Sequence, residues 1–186
     1  MAKHVCPLWV GHLLAHPLRK LIHPPKRLLS PYVKPNMTVV DLGCAMGFFS
    51  IPMAEMVGPA GRVICLDIQK NMLEHLMHRA RKANMADRIE ARLCAHHTLG
   101  LADVAGHINF VLASAVIHEL SDPDKIFNEL YGALYKDGII LVVEPKAHVT
   151  AKAFQKTLQQ ARSAGFQIEE KKRHCATLIK PEYSFV

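Results

Sequence analysis

The chain has 186 residues, half of them hydrophobic, and a formal net charge of +7 at pH 7. A chain of this length supports one sizeable hydrophobic core and is too short for two well-packed domains. It contains no run of about 18 apolar residues of the kind that predicts a membrane-spanning helix. Five widely spaced cysteines without a CxxC pair argue against a disulfide framework or a zinc ribbon.

The N-terminal residues lack the apolar stretch and the small-residue cleavage site of a secretory signal, so we expect a cytoplasmic protein. The basic residues concentrate in three clusters, Arg19–Arg27, Arg79–Lys82 and Lys171–Arg173. Because no aromatic side chains interleave with these clusters, we expect solvated surfaces rather than a nucleic-acid interface.

Residues 1–36 precede any regular pattern and are predicted to form a short helical cap. From residue 37 onward, short apolar runs alternate with runs of helical period. The predicted strands are Thr38–Leu42, Arg62–Leu66, Ile89–Leu93, Ile108–Ala113, Ile139–Val143, Phe166–Glu170 and Cys175–Ile179. The predicted helices are Phe48–Val57, Lys70–Ala83, one that Asp122 caps and that ends at Lys136-Asp137-Gly138, and one from Thr150 to Gly165.

This alternation predicts an α/β fold. We expect a doubly wound, mostly parallel seven-stranded sheet with helices on both faces and an antiparallel C-terminal strand. The expected organisation is a single domain over residues 1–186, with the cap at 1–36 and a Rossmann-like core at 37–186.

The first strand ends in a segment of small residues, Asp41-Leu42-Gly43-Cys44-Ala45-Met46-Gly47, and the second strand leads into Asp67. Ligands of open α/β sheets lie beyond the carboxyl ends of the strands, where small residues admit a ligand close to the backbone. A carboxylate at the second strand end can accept both hydroxyls of a ribose. Gly43 and Gly47, with Ala45 between them, depart from the GxGxxG spacing of a dinucleotide site, so an NAD-dependent enzyme ranks last.

The segment Val39–Gly47 resembles the first motif of class I S-adenosylmethionine-dependent methyltransferases, and Asp67 matches the acidic residue of their second motif. Leu134–Leu141 resembles the turn that precedes their fifth strand. The resemblance covers about residues 30–180. It is closest to the branch that contains quinone-biosynthesis and arsenite methyltransferases.

The resemblance implies S-adenosylmethionine as cofactor and S-adenosylhomocysteine as product. It implies that Gly43 and Gly47 admit the methionine part, that Asp67 takes the ribose, and that Asp41 orients the loop, contacts the ammonium or caps loop amides. The remaining implied cofactor residues are Cys44, Ala45, Ile68, Met72, Ala95, His96 and Ser114, and a plain core role is open for the apolar ones. Three residues depart from the family pattern. Ala45 stands where the family usually has a second glycine, Ala95 where an acidic residue often contacts the adenine amino group, and Asn109 where an aspartate is frequent.

Four polar residues follow the fourth and fifth strands: His118, Glu119, Glu144 and His148. Strand ends of a parallel sheet face one cleft, so we expect these residues to line the acceptor pocket, with His118 or His148 as a base or an orienting group. Structural roles in packing and capping remain open. Two histidines and two carboxylates also suit a divalent ion, but we predict no metal site.

The leading interpretation is methyl transfer from S-adenosylmethionine to a small-molecule acceptor. The alternatives are an RNA methyltransferase, which the positive charge favours, and a non-catalytic binder of S-adenosylmethionine or S-adenosylhomocysteine. The sequence leaves the acceptor and the oligomeric state open.

Overall fold

The computed structural model describes residues 24–172 and 174–182. These residues fall into two compact units, one that ends at Leu93 and one that begins at Cys94. Of the predicted cap, residues 1–23 lie outside the described residues. The remainder of the cap holds a short helix, α1 (Pro25–Leu29), which starts with a proline as helices often do.

The first unit is built from three parallel strands and their connecting helices. Val40 of one strand pairs with Ile64 of the next, and Cys65 pairs with Ala91 of the third. The elements are β1 (Thr38–Leu42), α2 (Ser50–Val57), β2 (Arg62–Asp67), α3 (Lys70–Lys82), a 3-10 turn at Ala86–Arg88, and β3 (Ile89–Leu93).

The second unit combines a parallel strand pair with a C-terminal hairpin. Its elements are a 3-10 turn at Ala102–Val104, β4 (Ile108–Ser114), a 3-10 turn at Ile117–Glu119, α4 (Pro123–Ala133), β5 (Leu134–Val143), α5 (Ala151–Ser163), β6 (Gln167–Lys172) and β7 (Cys175–Ile179). The strands β4 and β5 run parallel, whereas β7 is antiparallel to both β5 and β6.

The strand order is β3-β2-β1-β4-β5-β7-β6, in a seven-stranded sheet. The central strands are apolar and buried along nearly their whole length, as strands covered on both faces should be. The predicted fold, a mostly parallel seven-stranded sheet with antiparallel C-terminal strands, is confirmed.

Local signals in the sequence set the ends of the helices. The Asp122 carboxylate accepts the Lys125 amide at 3.1 Å, and Pro123 occupies the first helical position of α4. The Thr150 hydroxyl accepts the Ala153 amide at 3.1 Å at the start of α5. Each cap satisfies one backbone donor that the helix itself leaves unpaired, so both predicted helix starts are confirmed.

The predicted boundary between α4 and β5 is wrong. The helix ends at Ala133 instead of at Lys136-Asp137-Gly138, and the strand begins at Leu134 instead of at Ile139. Asp137 adopts a left-handed φ of 60°, and its amide donates to the Lys180 carbonyl at 3.0 Å. Leu134 pairs with Ile108 of β4, and the register then shifts before Ile139, so the strand includes this turn-like segment. The helix α2 likewise begins at Ser50 rather than at Phe48.

Among the described residues, no helix has the length and apolar character needed to span a membrane.

Candidate functional site

The loop between β1 and α2 has a tightly constrained backbone. Gly43, Ala45 and Gly47 have φ values of 70°, 45° and 79°, in the left-handed region that favours glycine. The amides of Gly43 and Cys44 both donate to the Leu66 carbonyl, at 2.9 and 3.0 Å, which ties the loop to the end of β2. Ala45, where the family has glycine, adopts the glycine-like conformation despite its methyl group.

The helix α3 supports this loop from one side. A Cβ atom added at Gly47 would overlap the end of the Leu76 side chain, which would have to move, and the φ of 79° would strain a larger residue here. The Arg79 guanidinium donates to the Met46 carbonyl, and its burial lowers the pKa of Arg79. This role of Arg79 was not predicted, since basic residues in the last turn of a helix commonly serve to offset the helix dipole.

Asp67 lies at the end of β2 with 8% of its surface exposed. Its Oδ2 accepts the Ala45 amide and its Oδ1 accepts the Gln69 amide, both at 2.9 Å. Burial raises the pKa of Asp67, and backbone amides that include Gln69 and Ala45 lower it part of the way. A carboxylate oxygen has more than one acceptor site, so this held carboxylate can also accept the two vicinal hydroxyls of a ribose.

Asp41 is buried beneath the same loop, with 3% of its surface exposed. The Ser50 hydroxyl donates to Asp41 Oδ2 at 2.5 Å, at the start of α2. Burial, together with a smaller effect of the charge of Asp67, raises the pKa of Asp41 to about 7, although the hydroxyl and amide of Ser50 oppose this rise. Ser50 was not predicted as a partner of Asp41, because the two residues are nine positions apart in the chain.

The other predicted residues of this unit differ in accessibility. Cys44 is buried, and burial raises the pKa of its thiol well above the usual value. Met72 is 1% exposed and belongs to the core, whereas Ile68 is half-buried next to Asp67. Of the two residues predicted to pack the adenine, Ile68 is therefore the accessible one.

In the second unit, Glu144 and His118 form a close pair. His118 Nδ1 lies 2.6 Å from Glu144 Oε2, and the Ile117 amide donates to Glu144 Oε1 at 2.8 Å. Glu144 is buried, whereas the His118 side chain is 27% exposed. Burial raises the pKa of Glu144, while the charge and hydrogen bond of His118 lower it. These two residues, which were predicted to lie in one place, are therefore joined by a direct hydrogen bond.

His148 and Glu119 are placed less closely. The ring of His148 lies 6.2 Å from that of His118, centroid to centroid, with 29° between the planes, and His148 is exposed. Glu119 is half-buried in the 3-10 turn next to His118. Within residues 24–172 and 174–182, no three or more His, Cys, Asp or Glu side chains are arranged to hold a metal ion.

His174 is a neighbour of Glu144 that the sequence analysis missed. Its carbonyl accepts the Glu144 amide at 2.9 Å, at the turn between β6 and β7. The residue has a left-handed φ of 63°, its ring packs 5.4 Å from that of Phe154, and both ring nitrogens are buried without a hydrogen-bond partner. The C-terminal hairpin thus fixes the backbone at the end of β5.

The second unit also places the remaining predicted cofactor residues. Ala95 and His96 are exposed in the loop that follows β3, and Ala95 forms an isolated bridge with Thr98. Ser114 ends β4 and is half-buried. The next amide, that of Ala115, donates to the Val143 carbonyl at 2.8 Å, and Ala115 has a left-handed φ of 57°.

Residues 33–178 match the model of a protein family described as a methyltransferase domain. The chain belongs to this family. The match confirms the resemblance to methyltransferases seen in the sequence, and that resemblance implies S-adenosylmethionine as the cofactor.

Two curated relatives of this chain are methyltransferases named after a small molecule. It is 31% identical over 108 residues to an arsenite methyltransferase of Halobacterium salinarum, which covers 58% of this chain and 27% of that protein. It is 29% identical over 112 residues to a demethylmenaquinone methyltransferase of Lactobacillus johnsonii, covering 60% of this chain and 45% of that protein. The chain thus spans about a quarter to a half of the length of these relatives, and neither name favours the RNA alternative.

A solved structure supports the same fold. A SAM-dependent methyltransferase from Aquifex aeolicus superposes with a TM-score of 0.81 and 20% identity, covering 94% of this chain and 98% of that chain. A likeness at this level of identity shows the fold alone.

Proposed function

We propose that this chain transfers a methyl group from S-adenosylmethionine to a small molecule that gives up a proton in the reaction. The hydrogen bond between Glu144 and His118 carries this proposal. A buried carboxylate that holds a partly exposed imidazole is an arrangement suited to moving a proton.

The first unit offers groups that fit the cofactor. Asp67 would accept hydrogen bonds from the ribose hydroxyls. The small residues Gly43, Ala45 and Gly47 would let the methionine part approach the backbone closely. In the second unit, the exposed loop that begins at Ala95 would contact the adenine. When bound, S-adenosylmethionine supplies an electrophilic methyl group, so the protein's own task is to position the acceptor and take up its proton.

The orientation of His118 defines which of its ring nitrogens can act. Since Glu144 is an acceptor when ionised, Nδ1 carries the proton and donates to Oε2, which leaves a lone pair on Nε2. Nε2 would remove the proton from an acceptor hydroxyl, and an electron pair of the acceptor would form a bond to the methyl carbon. The bond between that carbon and sulfur would break, with its electrons going to the sulfur of the departing S-adenosylhomocysteine. Glu144 then stabilises the imidazolium, as a positioning residue that does not itself contact the acceptor.

We propose a phenol or hydroquinone as the acceptor class. Loss of a hydroxyl proton increases the electron density of the oxygen and the ring carbons, so a single base suffices to activate such an acceptor. The demethylmenaquinone methyltransferase among the relatives supports this class. Arsenite would call for accessible thiolates. Among the described residues, Cys44 and Cys65 are buried, and Cys94 and Cys175 are half-buried.

The test uses S-adenosylmethionine with an isotopically labelled methyl group, 1,4-naphthohydroquinone as the first probe, and arsenite with a thiol as the second. We expect label in the hydroquinone product, detected by mass spectrometry, and loss of that product in His118→Ala. His107→Ala is the matched control, because His107 is an exposed histidine of the same unit. Equal labelling by wild type and His118→Ala, or labelling of arsenite alone, would contradict the proposal.

A further inference from the structure

A loop of the second unit, residues 95–101, is organised around one carboxylate, that of Glu129 in α4. Glu129 Oε2 accepts the Leu99 amide at 2.9 Å, and Oε1 accepts the Leu101 amide at 3.1 Å. The Thr98 hydroxyl lies 3.1 Å from Oε2 and 3.3 Å from Oε1. One side chain therefore receives three donors from four consecutive loop residues.

Two further contacts fix the part of this loop closest to β3. The Ala95 amide donates to the Thr98 carbonyl at 3.1 Å, and the Ser121 hydroxyl donates to the His96 carbonyl at 3.0 Å. The loop is thus held on one side, where Leu99 is buried, and open on the other, where Ala95 and His96 are exposed. Hydrogen bonds to an ionised carboxylate are stronger than those between neutral groups, so Glu129 dominates this arrangement.

We propose that Glu129 is a positioning residue for adenine recognition, acting through the backbone of the loop that it holds. The inference rests on the proposed function, in which this loop contacts the adenine. Ala95 offers no side-chain hydrogen bond, so selection of the base falls to backbone N–H and C=O groups. Those groups discriminate only when the loop keeps one conformation, which the contacts of Glu129 enforce.

The chemistry of the base makes this recognition measurable. Adenine presents an amino donor at position 6 and a ring-nitrogen acceptor at position 1, and hypoxanthine reverses both. A backbone C=O and N–H held in fixed positions would therefore bind adenine and reject hypoxanthine. A loop free to move could satisfy either base and would lose the preference.

The experiment compares S-adenosylhomocysteine with S-inosylhomocysteine, its deaminated analogue, by calorimetric titration of the full chain. We expect wild type to prefer the adenine ligand about tenfold or more, as the loss of one or two hydrogen bonds implies. In Glu129→Ala this ratio should fall towards one. In Glu129→Gln, which keeps one acceptor oxygen, the ratio should be intermediate.

Controls separate the possible outcomes. Asn128→Ala, at an exposed position of the same helix, should keep the wild-type ratio. Thr98→Val removes only the hydroxyl contact and should lower the ratio slightly, which retains a test if Glu129→Ala does not fold. A Glu129→Ala protein that melts earlier but keeps the wild-type ratio would overturn the inference. Failure of wild type to bind either ligand would instead overturn the proposed function.

Discussion

The loop after β1 and the end of β5 both depend on buried carboxylates, but they use them differently. Asp67 and Asp41 are held by backbone amides and by the Ser50 hydroxyl, so their hydrogen bonds fix the shape of a loop. Glu144 Oε2 instead lies 2.6 Å from Nδ1 of His118, whose side chain is partly exposed. The first region is thus suited to recognition of a rigid ligand, and the second to the movement of a proton.

The largest effect should come from a substitution of Glu144, the positioning residue of the second region. We expect Glu144→Gln to lower kcat for labelled methyl transfer to 1,4-naphthohydroquinone by about 100- to 1,000-fold, in the range of a lost acid–base contribution. A glutamine amide can turn its donor group towards Nδ1 and favour the wrong tautomer of His118. Glu169→Gln, an exposed glutamate of the same unit, is the control. An unchanged kcat would show that the pair is structural.

The matching change in the first region should act on binding instead. We expect Asp67→Ala to weaken S-adenosylhomocysteine binding about 100-fold, roughly 3 kcal/mol, because it removes the ribose acceptor and leaves buried amides unpaired. Calorimetric titration measures the loss, and Glu74→Ala, at an exposed position of α3, is the control. Wild-type affinity in Asp67→Ala would remove the distinction between the two regions.

The raised pKa of Asp41 predicts a pH-dependent stability of the first region. The pKa of this carboxyl group is about 7 in the folded protein and 3.8 in its ordinary state, so the folded protein loses stability as pH rises between these values. We expect a loss of roughly 2 kcal/mol between about pH 4 and pH 6 from this group. Asp41→Asn should lack it.

The measurement is the difference in unfolding free energy between wild type and Asp41→Asn, by urea denaturation at several pH values. The difference cancels the other titrating groups. Asp41→Asn should become progressively more stable relative to wild type as pH rises through this window. A difference that is constant with pH would mean that Asp41 has no raised pKa.

The smallest effect concerns backbone strain at Ala45. Its φ of 45° favours glycine, so Ala45→Gly should raise the unfolding free energy by about 0.5 kcal/mol, after the greater entropy of the unfolded glycine is subtracted. Ala153→Gly, the same substitution in the first turn of α5, should lower it by a similar amount. If both substitutions destabilise equally, Ala45 is not strained.

The sequence predicted most of the fold because its signals are local. Thr38–Leu42 and Cys175–Ile179 are apolar runs with clear ends, and Asp122 is a helix cap three residues before its donor. The predicted start of β5 was wrong because the strand begins where Leu134 pairs with Ile108 of β4. A contact between residues so far apart leaves no mark on either local pattern.

The candidate site divides along the same line. The ends of the strands predicted the positions of Asp67, His118 and Glu144. They did not predict the hydrogen bond that orients the imidazole, because this bond joins residues 26 positions apart. Glu129 was missed altogether, because a glutamate beside the apolar stripe of a helix normally faces solvent. Its partners are 28 to 31 residues away along the chain.

The bond between the Glu144 amide and the His174 carbonyl has a consequence for biosynthesis. In the strand order, β7 lies between β5 and β6, so the end of β5 gains its last neighbour only after β7 has been made. A nascent chain that ends soon after Glu144 still lacks His174, whose carbonyl holds the Glu144 amide. The pair of Glu144 and His118 therefore forms late in translation, and ribosome-bound fragments ending before residue 174 should carry a loosely held His118.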